Sequence, residues 1–127
     1  MSKNKPQATA DEIRASIEDV SKIEVMHNQI LVGIYIRPEK TSGGIFLTEK
    51  TLDEDKWQGK VGLVLKAGPM AFQNEGNTDF HGQSVNEGDW VIYRVSDGFS
   101  IDVNGVHCRL IEDVHIKGRV ADPSVIY

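Results

Sequence analysis

The sequence predicts an all-β domain, a small barrel or sandwich, and three observations carry that prediction. Six or so short runs alternate apolar and polar residues, and turn residues separate them at regular spacing. The runs are dense in Val, Ile, Tyr and Trp, the residues that fit a pleated surface. Asn104-Gly105 between two alternating runs is the strongest short hairpin signal a sequence offers, a two-residue type I′ turn. No repeat of fixed period is present, and no stretch suits a parallel βαβ unit.

Residues 1–8, at the start of the chain, are polar and contain Pro6, which predicts a disordered arm. Thr9-Ala10-Asp11-Glu12 forms a capping box, with a hydroxyl at the N-cap and a carboxylate three residues on. Ile13, Ile17 and Val20, with Ala10 one turn earlier, put an apolar stripe on a helix of about three turns. Arg14, Glu18 and Asp19 face away from that stripe. So short a helix is marginal alone, so it must pack on the domain or on a neighbouring subunit.

From Ile23 the period changes to alternation. Ile30, Val32, Ile34 and Ile36 share one face, and Leu31, Gly33, Tyr35 and Arg37 the other, a strand of about eight residues that Pro38 ends. The polar stretch from Pro38 to Thr51 contains Gly43-Gly44 and then Ile45, Phe46 and Leu47, an apolar triplet without alternation. Leu52-Asp53-Glu54-Asp55-Lys56 reads as an acidic, polar connector. The next strand runs through Gly59 to Lys66, with Val61, Leu63 and Leu65 on one face and Gly62 thinning the other. Ala67-Gly68-Pro69 stops it.

Met70 to Val85, about 16 residues rich in Asn, Gly, Gln and Asp, is long for a loop in a compact domain. Gly76-Asn77 near its middle, with Phe72 and Phe80 on either arm, predicts a protruding hairpin. Asn86-Glu87-Gly88-Asp89 is a tight turn before a β-prone strand, Trp90-Val91-Ile92-Tyr93. Asp97-Gly98 turns the chain again. Phe99, Ile101 and Val103 then alternate up to the hairpin turn, and Val106, Cys108 and Leu110 continue on the return strand. Val114-His115-Ile116 closes the pattern, and Ala121 to Tyr127 is a short tail.

The bulk numbers set limits. At 127 residues, 39% hydrophobic and 26% charged, the chain is one soluble globular domain by length and composition. No apolar run reaches the roughly 18 residues of a membrane span, and the polar N-terminus lacks a secretory apolar segment. A net charge of −5 argues against general nucleic-acid or anionic-membrane binding. One cysteine, Cys108, excludes an intramolecular disulfide and suits a reducing cytoplasm.

The chemistry-bearing residues form no catalytic constellation. His27, His81, His107 and His115 are not at metal-ligand spacing, and the adjacent His107 and Cys108 of one strand point to opposite faces. Cys108 lies in an apolar strand with no basic cluster nearby, which predicts an inert thiol. The carboxylates of Asp53, Glu54 and Asp55 read as a solvated face. Gly43-Gly44 has neither a dinucleotide-binding pattern nor a P-loop lysine, and the aromatics are not interleaved with basic residues as a single-strand nucleic-acid platform needs. The work of this chain is binding. The strands already supply a barrel's worth of alternating apolar residues, so the 45–47 triplet is not needed for the core. It reads as a segment held out for a partner.

With these segments in order, residues 23–120 resemble the GroES co-chaperonin family, the ring-forming lids of the cage chaperonins. Met26-His27-Asn28-Gln29-Ile30-Leu31-Val32 is similar to the family's opening strand. Thr41-Ser42-Gly43-Gly44-Ile45-Phe46-Leu47 resembles its mobile loop, a Gly-Gly step before an Ile-Val-Leu-type triplet. Gly59 to Gly68 resembles the strand after that loop, and Val85 to Tyr93 the Val-x-x-Gly-Asp-x-Val-x-Phe/Tyr strand.

The resemblance implies a GroES-like β-barrel that assembles into a homo-oligomeric, seven-membered ring. Mobile loops, here Gly43, Gly44, Ile45, Phe46 and Leu47, would dock on a GroEL-type chaperonin after ATP binds there. The Phe72, Gly76, Asn77 and Phe80 hairpin would form the roof over an unfolded client protein. The lid itself implies no enzyme activity, no cofactor, no metal, no nucleic acid and no membrane, and a cytoplasmic location.

Residues 1–22 extend beyond the usual family start, residues 121–127 form an added tail, and Phe46 replaces a smaller aliphatic residue. Such embellishment points to a bacteriophage-encoded or otherwise specialised member, acting in the host cytoplasm. The alternative is a phage virion structural or decoration protein on the same barrel, with the triplet anchored to a capsid neighbour. A medium-chain dehydrogenase barrel is excluded, because no nucleotide domain and no zinc-ligand spacing accompany it.

Overall fold

A computed structural model describes residues 6–18, 20–38, 44, 46–76 and 78–126. The order of elements is α1 (Ala10–Ile17), β1 (Gln29–Ile34), α2 (Glu49–Gln58), β2 (Val61–Ala67), β3 (Trp90–Ile92), β4 (Phe99–Val103), β5 (Val106–Glu112) and β6 (Gly118–Val120). Short 3-10 turns occupy Asp113–His115 and Pro123–Val125. The six strands form one sheet in the order β4-β5-β1-β2-β3-β6, every neighbouring pair antiparallel. This is the small all-β barrel that the alternation predicted.

Both faces of the sheet are buried, because the central strands carry apolar residues on each side. Leu31 of β1, Leu63 and Leu65 of β2, Trp90 of β3 and Cys108 of β5 join a first core cluster together with Ile13 and Ile17 of α1. Ile30, Val32 and Ile34 of β1, Val64, Val91, Tyr93 and Ile111 form a second cluster with Leu52 of α2. The β1–β2 register shifts between Leu31 and Val32, so that Leu65 is the extra residue of a bulge. Gly33 lets α1 lie close: a Cβ there would stand 2.8 Å from the Ile13 side chain.

The hairpin at Asn104-Gly105 is as expected, with φ of 51° and 81° at its two central residues. At the Asn86–Asp89 turn, the Asp89 N–H donates to the Asn86 carbonyl at 3.1 Å and the Asn86 N–H to the Asp89 carboxylate at 2.9 Å. Thr9 caps α1 as the capping box requires, its hydroxyl accepting from the Glu12 N–H at 3.1 Å.

Four expectations are corrected. Residues 6–8 are not a disordered arm, and Gln7 is buried. Its side-chain amide donates to the carbonyls of Ile34 (2.8 Å) and His107 (3.1 Å) and accepts from the His107 N–H (2.9 Å). It thereby satisfies backbone groups just past the last β1–β5 partners, Gly33 and Cys108. The first helix stops at Ile17, because Glu18 takes φ 64°, and Val20 packs on the first cluster from outside it. The polar connector of 52–56 belongs to helix α2, which Thr48 caps. Finally, 114–116 is not strand: Asp113–His115 forms a 3-10 turn, and the last strand is β6.

Candidate functional site

The two segments that the sequence singles out are both rooted on the second core cluster. Leu47 and Leu52 reach it from the stretch that leads into α2, and Ala71, Phe72 and Val85 from the stretch between β2 and β3.

Ahead of α2, Gly44 is exposed at φ +83°, with nothing within 4 Å of where a Cβ would stand. Phe46 is 72% exposed, while Leu47 is half-buried against the second cluster. Gly43 and Ile45 lie outside the described residues. Thr48 then starts α2: its hydroxyl accepts from the Thr51 N–H at 3.1 Å, and its carbonyl accepts from Leu52 N–H at 3.0 Å. Leu52 is 4% exposed. Near the far end of α2 the exposed ring of Trp57 meets His107 edge to face, centroids 4.8 Å apart. His107 is buried, and its Nδ1 lies 2.8 Å from an Asp102 carboxylate oxygen.

Between β2 and β3 the chain reverses at Gly76, where Glu75 and Thr78 exchange both backbone hydrogen bonds (3.0 and 2.9 Å). Asn77 lies outside the described residues. Phe72 and Phe80 meet edge to face at 5.4 Å. Asp113, buried at the root of this arm, accepts from the Phe72 N–H (2.9 Å) and the Asn28 amide (3.1 Å). That bond holds Phe72 at φ 60°, a left-handed conformation costly for a bulky residue.

The ionisable groups away from these segments are arranged for structure. Burial, with the negative charge of Asp102 adding to it, pushes the Cys108 thiol up to about 12, so the thiolate is scarce at neutral pH. Burial also raises the Tyr93 phenol, against the opposing charge of Arg109, whose guanidinium lies 5.9 Å from the centre of its ring. Arg109 in turn donates twice to the Asp97 carbonyl, at 2.8 and 3.2 Å. A two-pronged bond from Arg94 holds the Asp97 carboxyl below the usual carboxylate range. The His27 carbonyl accepts from the Met70 N–H, His81 lies beside Asp79, His107 beside Asp102, and His115 about 4 Å from Asp97 and Glu112. Among the described residues, no group of three or more His, Cys, Asp or Glu could hold a metal ion, and no helix is long and apolar enough to cross a membrane.

Sequence reasoning missed α2, Gln7 and Asp113. The Thr48-Glu49-Lys50-Thr51 cap was the one available signal for α2. Gln7 and Asp113 carried none, because their partners are distant in sequence.

The barrel thus carries an exposed Phe46 on a segment preceded by Gly44, and a second arm that packs on the same core cluster as Leu47. Residues 22–120 match the family model of the Chaperonin 10 Kd subunit, and the chain belongs to that family. Its role is that of a co-chaperonin. Comparison with curated proteins gives no match. The matched region includes α2 and both segments but begins after α1 and Gln7.

Proposed function

We propose that this chain is the lid subunit of a GroEL-type chaperonin, in a homo-oligomeric ring of seven that docks through Gly43, Gly44, Ile45, Phe46 and Leu47. In this reading the ring caps the chaperonin when ATP is bound and encloses an unfolded client. The arm bearing Phe72, Gly76, Asn77 and Phe80 builds the roof. The setting is the cytoplasm, and for a phage-encoded member the host's. The observation that carries the reading is Phe46, 72% exposed within the family-matched region on a segment preceded by glycine.

The energetics suit a reversible lid. Ordering about ten residues costs on the order of 10 kcal/mol of backbone entropy, and burying each large apolar side chain returns roughly 1.5–3 kcal/mol. One loop therefore binds weakly, and a ring gains by presenting several at once. The test is ATP-dependent co-sedimentation with a bacterial chaperonin double ring. Wild-type chain is expected to pellet with the chaperonin only when ATP is present. Phe46→Asp is expected to abolish capture while leaving the native mass of the ring unchanged. Capture of Phe46→Asp at the wild-type level overturns the docking assignment, and failure of the wild type to bind any chaperonin favours the virion role.

A further inference from the structure

The arm between β2 and β3 is bonded chiefly to itself. Among the described residues, the hydrogen bonds of 73–83 all end within 70–83. Two residues clasp its legs to the barrel, and both come from the stretch just after β5. Asp113, 4% exposed, accepts from the Phe72 N–H on the outgoing leg at 2.9 Å. Arg119 donates to the Ser84 carbonyl on the return leg at 3.3 Å. We infer that Asp113 is the positioning residue of this arm: paired with Asn28, it sets the angle at which the arm leaves the barrel, and so the pose of Phe72 and Phe80. The inference rests on the reading that this arm builds the roof over a client.

Three observations make Asp113 the stronger clasp. Its carboxylate also accepts from the Asn28 amide at 3.1 Å, and its N–H donates to the Asn28 carbonyl at 3.1 Å. Asn28 directly precedes β1 and Asp113 directly follows β5, and their neighbours Gln29 and Glu112 form the end pair of that seam, so the clasp is anchored to the sheet. Phe72 stands at φ 60°, a conformation that a bulky residue leaves when nothing holds its N–H. Arg119, by contrast, has a largely exposed side chain, and exposed charges of this kind hold weakly.

The arm has room to move once the clasp opens. Open clefts of about 270 and 830 Å³ both take Thr78, Phe80, Asp113 and Val114 into their walls. Close packing therefore holds only the feet of the arm, Ala71, Phe72 and Val85, which lie on the second core cluster. Within the arm the Phe72 and Phe80 rings meet at 5.4 Å, so a change at Phe72 is carried to Phe80.

The experiment compares the full-length wild type with Asn28→Asp, Asp113→Asn and the double exchange of both. Asn28→Asp sets carboxylate against carboxylate, and Asp113→Asn sets amide against amide. The double variant faces one amide with one carboxylate again, and it keeps an acceptor for the Phe72 N–H and for the Gln29 amide that Asn28 now serves. Each single variant is expected to speed amide hydrogen exchange of residues 72–76 and 78–83 at least about tenfold, with the centres of β1, β2 and β5 unchanged. The double variant is expected to return within about twofold of wild type. On a GroEL-type double ring with a slowly hydrolysed ATP analogue, the single variants are expected to be captured like wild type. An enclosed client is then expected to be digested by added protease about threefold faster or more, and the double variant to restore its protection. Wild-type exchange in both single variants, or no recovery in the double, overturns the role of Asp113 and leaves the roof reading standing. A loosened arm over a client as well protected as in wild type overturns the roof reading, and the positioning role falls with it.

Discussion

The two helices begin identically and end up doing different work. Thr9 and Thr48 each accept a bond at 3.1 Å from the N–H three residues on, so the local signal that starts a helix is the same. Beyond the caps the two diverge. α1 buries Ile13 and Ile17 completely or nearly so, on one face of the sheet. α2 buries Leu52 on the other face and is otherwise largely polar. The lesson is that a cap decides where a helix starts, and the number of apolar anchors decides how firmly it belongs to the barrel. α1 is part of the core, while α2 is attached to it chiefly through Leu52, just past the exposed Phe46.

The largest test of that contrast is to remove one anchor from each helix. Ile13→Ala is expected to cost about 2–5 kcal/mol of global stability in denaturant titration, since it empties a fully enclosed site against Gly33. Leu52→Ala is expected to cost less globally, about 2 kcal/mol, because α2 can detach without opening the sheet. Equal costs would make α2 as integral as α1. Next in size, Gln7→Ala leaves the Ile34 carbonyl and both backbone groups of His107 without their partner. A loss of about 2–3 kcal/mol in the same titration is expected. The two caps give a smaller, sharper contrast: Thr9→Ala is expected to cost about 1 kcal/mol globally. Thr48→Ala is expected to move the global midpoint by less than about 0.5 kcal/mol.

The smallest effect is a pH effect at the edge of the second face. The Asp97 carboxyl is lowered by Arg94, so it contributes stability above the unfolded carboxylate range. That contribution is expected to fade as pH falls below about 4. Its size is small because the Arg94 side chain is mostly exposed. Asp97→Asn should flatten the acid limb of a stability-against-pH curve. An unchanged limb would mean that Arg94 adds nothing to the turn whose Asp97 carbonyl accepts from Arg109.

The same contrast explains what could be read from the sequence. α1 was legible because Ile13 and Ile17 repeat at helical spacing behind a capping box, though its length was overestimated through Val20. α2 was not, because Asp53, Glu54, Asp55 and Lys56 crowd its middle, and Leu52 and Trp57 stand five residues apart, which makes no stripe. The strands were legible from their alternation, and the Asn104-Gly105 turn from its chemistry. The triplet that contains Phe46 could be singled out as an apolar run with polar flanks that the core does not need. The half-burial of Leu47 could not, since nothing local says that one residue of a triplet turns back to the barrel. Asp113 and Gln7 were invisible for a related reason: each satisfies backbone groups far along the chain, and periodicity reports only near neighbours.

Gln7 has a further consequence, in the order of synthesis. Its amide stands in for a peptide group between β1 and β5, and its second partner lies 100 residues away. At about 5–20 residues per second, the ribosome must run for several seconds or more after Gln7 emerges before His107 appears. Until then Gln7 has only its β1-side partner, the Ile34 carbonyl, and the β1–β5 seam it bridges does not exist. Gln7 is therefore fully fastened only long after it is made, and closure of the barrel at this seam waits for β5.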